Sequence, residues 1–497
     1  MKRKSRLRSF WNRKQWIVRY LNPWLEKRDL DTYWGPRHLL FLFVDHFEPG
    51  HGGANRDRQL ERVAQWLRLY PAVVGPFEDC EGCHPRHTWF YLGEEGEHLK
   101  QLGELCFRGL GEVELHIHHG PKDSIPDPWK KNSRQDLARF IEKQKSLFTR
   151  YGALITAEAF PQKIFGFLHG MFALDNSLPD YCGVSGELEL LRELGCYGDF
   201  TFPAPGKSQP PLINRLYYPT GDPEAGKSYF QGEEIMVGSE RRNGVLIFQG
   251  PLGLKRKGLM FQVEDGHLDW NLQPTRSRIL DWISKGIHVQ GRPEWIFVKV
   301  YTHGCMENNL EKFLGPSMAR LHHELREVVL HEPSLLLHYV SAREAFNIAM
   351  AAMAGKEGDP GQYRNFLFPP YANTVIRCNR PYQMGGYSGK GWALDLLETG
   401  EVVLEVKGDW QTEIKGEYLE AIRLNIDEQK GEIFLQARGQ GKIKGTFRNQ
   451  KRKGPFTGSV GQEGEVTFSG LPDNSGLSFS GSFSAQGLLD FGWGFQP

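Results

Sequence analysis

The sequence predicts a two-part chain: an α/β domain on a parallel sheet, open or closed, followed by an all-β domain, a sandwich or a barrel. Three observations predict it. Apolar runs of strand length alternate with helical periods between residues 38 and 355, as in βαβ units. The length, 497 residues, exceeds one ordinary core and suits one large and one smaller domain. Beyond residue 375 the helical period is lost, and short β-rich segments follow one another between turn residues. These shifts divide the chain into a basic segment at 1–30, the α/β domain at 31–375 and the β-rich domain at 376–497.

The run 38–44, HLLFLFV, has no polar alternation and reads as a strand buried on both faces. Residues 56–70 follow as an amphipathic helix, with Leu60, Val63, Ala64, Leu67 and Tyr70 on one stripe. Further strands are expected at 87–92, 112–117, 164–168, 199–202, 245–248 and 295–301. Helices fall between them, at 133–150 behind the cap residue Ser133 and at 187–194 before Gly195. Two more are expected at 317–331 and 341–354. In the last part, Val402–Val406, Glu432–Ala437, Gly464–Ser469 and Leu477–Phe483 are β-rich, and recurring F-S-G phrases suggest a hairpin repeat. No cluster of chemistry-bearing residues stands out there.

The composition is that of a soluble globular chain, 39% hydrophobic and 24% charged with a net charge of +1. The charge is uneven: residues 1–28 carry ten Lys/Arg against the single acid Glu26. The remainder is therefore mildly acidic, which argues against a nucleic-acid-binding body. The basic start lacks the apolar core of a signal peptide. No apolar stretch reaches the ~20 residues of a membrane span. Trp11, Trp16, Ile17, Tyr20 and Trp24 interleave with the cations, so the segment suits peripheral contact with an anionic membrane. It suits equally a helix packed on the body, the reading favoured here. The seven Cys are scattered, and without an export signal they imply reduced thiols in a cytoplasmic protein. Cys80-Glu81-Gly82-Cys83-His84 has the spacing of a c-type haem attachment, which requires export. It sits in a turn-like stretch and reads as an ordinary loop ahead of a zinc or redox site.

Four apolar strands end in residues that ligate metals or move protons. The first delivers Asp45-His46-Phe47-Glu48 within four residues of a buried run, which is costly unless the groups are used. The second delivers Glu114, His116 and His118 on one face, with His119 just past its end. Two imidazoles two residues apart on a strand suit zinc or iron. The third ends in His169, followed by Asp175 and Asn176, and the fourth ends in His303. In parallel sheets, sites are built at this carboxyl edge.

The order of these motifs resembles the NodB-type polysaccharide deacetylases, carbohydrate esterase family 4, and in particular an uncharacterised bacterial branch of that superfamily. The stretches that carry the resemblance are FVDHFEP, HTWFYLGEE, EVELHIHHG, LHGMFALDNS, CGVSGELELLRELGCYGDFTFPA, WIFVKVYTHG and SAREAFNIAMAAMAG, spread over residues 38–355. The resemblance implies a distorted β/α barrel of the deacetylase type and a divalent metal, Zn²⁺ first. It implies hydrolysis of an N-acetyl (acyl) amide on a glycan or polysaccharide. Asp45 takes the position of the catalytic base and also counts among the potential ligands, and His46 takes the position where the family has a metal-binding Asp. The two-histidine motif has a different spacing here, so the ligands are left open among His116, His118 and His119. His303 takes the position of the general acid. Glu48, His169, Asp175, Asn176 and Asp199 fall where the substrate pocket is shaped. Two other classes compete: a catalytically inactive carbohydrate-binding or scaffold protein on the same fold, and another metal-dependent amidohydrolase or glycosidase. A glycosidase needs two carboxylates ~5–10 Å apart, so Glu94 or Asp199 would have to complete a pair with Asp45 or Glu48.

Overall fold

The computed structural model describes residues 15–21, 33, 35–122, 133–150, 154, 164–240, 243–257, 260–367 and ten strands between 374 and 496. Most of the basic segment, on which a membrane contact would rest, lies outside the described residues. Its described part is helix α1 (Gln15–Tyr20). Trp16 of α1 is buried against Ile213 and Leu252, with Ile17 and Tyr20 packed beside it. No helix among the described residues is long and apolar enough to cross a membrane. The chain divides into two compact units, one holding 165–367 with most of the preceding chain, the other holding 368–497 with 106–108 and 145–164.

The first unit is a mixed α/β structure around one curled sheet. Its parallel strands are β1 (Arg37–Phe47), β2 (His87–Tyr91), β3 (Gly111–Ile117), β4 (Phe165–His169) and β5 (Cys196–Asp199). β6 (Leu216–Pro219), β7 (Gly232–Glu234) and β8 (Leu246–Phe248) continue it beyond β5. Hairpin β9 (Gly253–Lys257) and β10 (Met260–Glu264) stands apart, and β11 (Trp295–Thr302) and β12 (Leu335–Val340) return to β1. The order is β11-β1-β2-β3-β4-β5-β8-β6-β7. β1 bonds β11 along Asp45 to His38, while its opposite edge is shared by β12 at 37–42 and β2 at 43–47. That central position explains its unbroken apolar run, since both faces and both edges are covered.

The sheet closes on itself only loosely. Segment 287–290 bonds to Phe297 of β11 on one side and to Ile235 and Val237, just past β7, on the other. The result is a distorted, barrel-like curl. Helices α2 (Arg56–Val74), α3 (Gly96–Phe107), α4 (Arg134–Arg150), α5 (Glu187–Glu193), α6 (Arg276–Ser284) and α7 (Met318–His331) connect the strands. The last helix, α8 (Ala342–Met353), is buried on every side. Its sequence AREAFNIAMAAM explains this: small side chains all round let neighbours approach from any direction. A capping box of Ser341 and Glu344 starts it.

β6, β7, the β9–β10 hairpin and α6 are not among the expected elements, and three further differences concern β5, α3 and β12. β5 runs over Cys196–Asp199 rather than 199–202, and its pairing with β4 shifts register after Phe165. α3 carries Gly103 in its middle, which weakens the helical signal. β12 is as apolar as β1 and was hidden between two helical periods.

In the second unit the strands run from β13 (Thr374–Cys378) to β22 (Leu489–Gln496) and pair antiparallel. The long β15 (Gly391–Val406) and β16 (Trp410–Asp427) pair with each other at its centre. Nearly all of its side chains lie outside the described residues.

Two core histidines away from the candidate site set a pH dependence. His98 is buried on α3 with its Nδ1 3.0 Å from the Tyr91 hydroxyl, and burial lowers its pKa to about 4. His322 on α7 is buried beside Tyr339, its Nε2 has no partner, and burial lowers its pKa to about 3. Both values lie below the ~6.5 of an unfolded histidine. Between pH ~6.5 and ~4 the unfolded chain therefore binds more protons, and stability falls as pH falls. Each group contributes up to ~1.4 kcal/mol per pH unit. His322→Leu is expected to flatten this fall in urea denaturation midpoints; an unchanged slope would show that His322 is already charged in the folded protein.

Candidate metal centre

Parallel strands of equal polarity bring their carboxyl ends to one edge, so side chains far apart in sequence meet there. His46 leaves β1, His116 and His118 leave β3, and His303 follows β11. His46 lies edge-on to His116 with ring centroids 4.9 Å apart and stacks on His303 at 4.5 Å. Glu48 reaches into the same space. Its Oε1 is 3.1 Å from His116 Nε2 and 3.5 Å from His118 Nε2, and the two Nε2 atoms are 3.2 Å apart.

The tautomer of His116 makes this arrangement chemically pointed. Its Nδ1 is 2.7 Å from the Leu168 carbonyl oxygen, which can only accept, so Nδ1 carries the proton. A neutral ring then turns a bare Nε2 lone pair toward a carboxylate oxygen. Two acceptors at 3.1 Å repel unless a cation lies between them. Carbonyl-oriented imidazoles of this kind recur around metal ions. The donor atoms of Glu48, His116 and His118 lie within 4.8 Å of one another, and so do those of His46, Glu48 and His303. Glu48 belongs to both groups.

The electrostatics agree. Burial lowers the pKa of His46 and His116, and that of His303 to about 4. Burial works against the charge of Glu48, but its neighbours His116 and His118 hold its pKa well below the usual carboxylate range. At neutral pH an anionic carboxylate thus lies among the neutral imidazoles of His46, His116 and His303, the protonation state that metal binding requires. Glu48 keeps 16% of its side chain exposed and His303 is partly exposed, so the centre is open to solvent.

One wall is a strained turn. Met171, Phe172, Asp175 and Asn176 all have positive φ, rare for such residues. The turn sets the Phe172 ring 5.0 Å from His46 and 5.9 Å from Tyr301. Gly170 is required beneath it, since a Cβ there would lie 2.2 Å from the His118 ring. Left-handed strain in several consecutive residues is typically retained where function uses it.

The other expected site residues fall elsewhere. Asp45, the expected base, faces away from His46, because neighbours on a strand point to opposite faces. Its carboxylate accepts from the Gly304 backbone N–H at 2.6 Å and lies 3.0 Å from His87 Nε2. Burial raises its pKa. Among the described residues it belongs to no group of converging metal donors. His119 turns away from His116 and His118 and meets His169 and Glu187 in a second cluster. Asp175 is buried and holds Ser228 through its backbone N–H and hydroxyl, and Asn176 bonds Ser185. Asp199 is buried, accepts from Thr201 Oγ1 at 2.6 Å, and has its pKa raised to about 7 by burial. Glu114 bonds Tyr197 and the Gly166 N–H and does not join the histidines.

Sequence reasoning placed Glu48 beside the substrate and missed its place as the shared acid. It also missed Cys182 and Glu187, five residues apart in the loop leading into α5. The signal was there: three strand ends carry a His-Gly pair, at 119–120, 169–170 and 303–304. At the opposite edge, Cys80 Sγ lies 3.5 Å from His338 Nε2, and Glu81 is paired with Arg364. The Cys-Glu-Gly-Cys-His stretch is thus a loop held by ion pairs and hydrogen bonds.

No family model matches the chain, and no curated protein does.

Proposed function

We propose that this protein is a metal-dependent hydrolase that removes N-acetyl (acyl) groups from a polysaccharide or glycan precursor. The observation that carries the reading is the convergence of Glu48 Oε1 with the Nε2 atoms of His116 and His118 at 3.1–3.5 Å. One carboxylate and two imidazoles, open to solvent on one side, are the donor set of a catalytic zinc site, three protein ligands with a free fourth position. Bound there, Zn²⁺ supplies Lewis-acid polarisation of an acyl oxygen and lowers the pKa of water.

The protein's own groups do the rest. The Leu168 carbonyl fixes the His116 ring so that its lone pair faces inward. Phe172 and Tyr301 give the centre an aromatic wall, apolar enough for an acyl methyl group and able to exclude bulk water. His303 is the proton carrier. Its ring is neutral at pH 7 and can take a proton at nitrogen, and the nearby Glu48 favours the resulting imidazolium. The same proton can then pass to a leaving amine. Asp45 is a positioning residue: by holding the Gly304 N–H it sets the turn that carries His303.

The test is acetate release from N-acetylated oligosaccharides by zinc-loaded protein. His303→Ala is expected to lose ~10²–10⁴-fold in kcat/KM with metal content unchanged. It should also lose the acid limb of the pH profile, which lies at or below about pH 4. Absence of acetate release from any acetylated glycan at full metal occupancy would instead favour a carbohydrate-binding protein on this fold.

A further inference from the structure

We propose that His119, His169, Cys182 and Glu187 form a second metal site, closed and structural, that takes Zn²⁺ and holds the exit of β3 in place. It is independent of the deacylation reading.

The four donor atoms lie within 4.8 Å of one another and all four residues are buried. Their orientation is set from behind. His169 Nδ1 donates to the Gly170 carbonyl at 2.6 Å, which turns Nε2 toward Glu187; burial works against charge on the ring, but the Glu187 carboxylate raises its pKa overall. His169 Nε2 is 3.1 Å from His119 Nε2 and 3.3 Å from Glu187 Oε1, and His119 Nε2 is 3.2 Å from the same oxygen. Two imidazole nitrogens and a carboxylate oxygen therefore converge on a space that a proton or a metal ion would fill. The second oxygen of Glu187 accepts from the Asp175 N–H at 2.6 Å and from the Cys182 thiol at 3.3 Å. The carboxylate is thus clamped with its free oxygen turned inward, the second-sphere support that metal ligands normally receive.

The chain path is built for the same meeting. Gly120 has φ +127°, and a Cβ on it would lie 2.6 Å from the Tyr181 carbonyl carbon. The strand exit and the loop carrying Cys182 can approach this closely only with glycine there. Lys122 N–H then bonds the Asp180 carbonyl at 3.0 Å, closing the contact.

The donor set selects the ion. Two imidazoles, a thiol and a carboxylate suit Zn²⁺, whereas Mg²⁺ and Ca²⁺ prefer all-oxygen shells. Four protein ligands with no solvent access are the mark of a structural rather than a catalytic site. Binding releases the Cys182 thiol proton as the Zn–S bond forms, so charge balances as one proton out for one ligand bond made. The site would fix where β3 turns, and His118, the residue before His119, points into the open centre from that turn.

Cobalt(II) alone is the probe, added to the full chain after removal of zinc. Of the two sets only the closed one contains sulfur, so the part of a thiolate-to-cobalt charge-transfer band in the near ultraviolet that depends on Cys182 reports it. The wild type should show this band and bind a second equivalent of metal beyond the open centre. Cys182→Ser should lose the band, and the His116→Ala/His118→Ala double variant should keep it. A wild type without the band overturns the proposal, as does a band that survives Cys182→Ser. Zinc-edge anomalous scattering from wild-type crystals gives a readout that needs no variant. A peak among the four side chains is expected; a peak only beside Glu48 would mean that a proton on His169 balances the cluster instead. Failure of acetate release with the band intact would count against the deacylation reading only.

Discussion

Replacing His116 and His118 together with alanine is expected to abolish metal binding at the open centre and, with it, hydrolysis. The two Nε2 atoms sit 3.2 Å apart and share Glu48 as their common neighbour. Without them Glu48 is left with His46 and His303, a set that lacks the carbonyl-oriented His116 ring. Loss of Lewis-acid stabilisation costs several kcal/mol, and each ~1.4 kcal/mol is tenfold, so the rate should drop by at least ~10³-fold. Elemental analysis and acetate release on the same preparation check both halves of the expectation. Unchanged metal content together with full activity would move the catalytic ion to another set of donors. Glu48→Gln provides a milder version, because the amide keeps the shape but removes the anion that two imidazoles face.

The largest expected effect on stability is at a different end of β3. Arg343 of α8 has no solvent exposure, and its Nε and Nη2 bond Glu112 Oε1 at 2.9 and 2.7 Å. Ser341 Oγ donates to the other carboxylate oxygen at 2.5 Å. Glu112→Ala would take from the buried guanidinium the carboxylate it bonds, leaving Glu344 3.8 Å away, which costs ~3–5 kcal/mol. Urea denaturation should show the midpoint falling accordingly. The paired replacement Glu112→Leu with Arg343→Met should recover most of the loss, since a buried ion pair adds little over well-packed apolar groups. A double variant as unstable as Glu112→Ala would mean instead that the remaining Arg343 bonds, to the Arg364 carbonyl and Asn365, anchor the helix.

Much of the architecture was legible in the sequence, and the candidate site in part. The strands β1, β3, β4 and β11 announce themselves because a strand buried on both faces needs only a run of apolar residues, a property of a few neighbouring positions. For the same reason the placement of His46, His116, His118 and His303 at one edge could be read in advance: each follows such a run directly, and parallel strands share their polarity. Short-range signals failed where they were mixed, as for α3 with its central glycine and for β12 between two helices.

What the sequence could not supply is partnership. Asp45 and His46 are adjacent, as are His118 and His119, yet each pair splits between two environments, since strand pleating and the turn after β3 send neighbours to different sides. Which side holds Glu48 and which holds Glu187 depends on loops that return from 68 residues away in each case. Local propensity carries no information about those paths; packing of the whole sheet decides them. The sequence by itself thus determined that imidazoles and carboxylates crowd the carboxyl edge of a parallel sheet. Only the tertiary structure decided that they divide into an open three-donor centre and a buried four-donor one, because that division rests on which way each side chain faces once distant strands are paired.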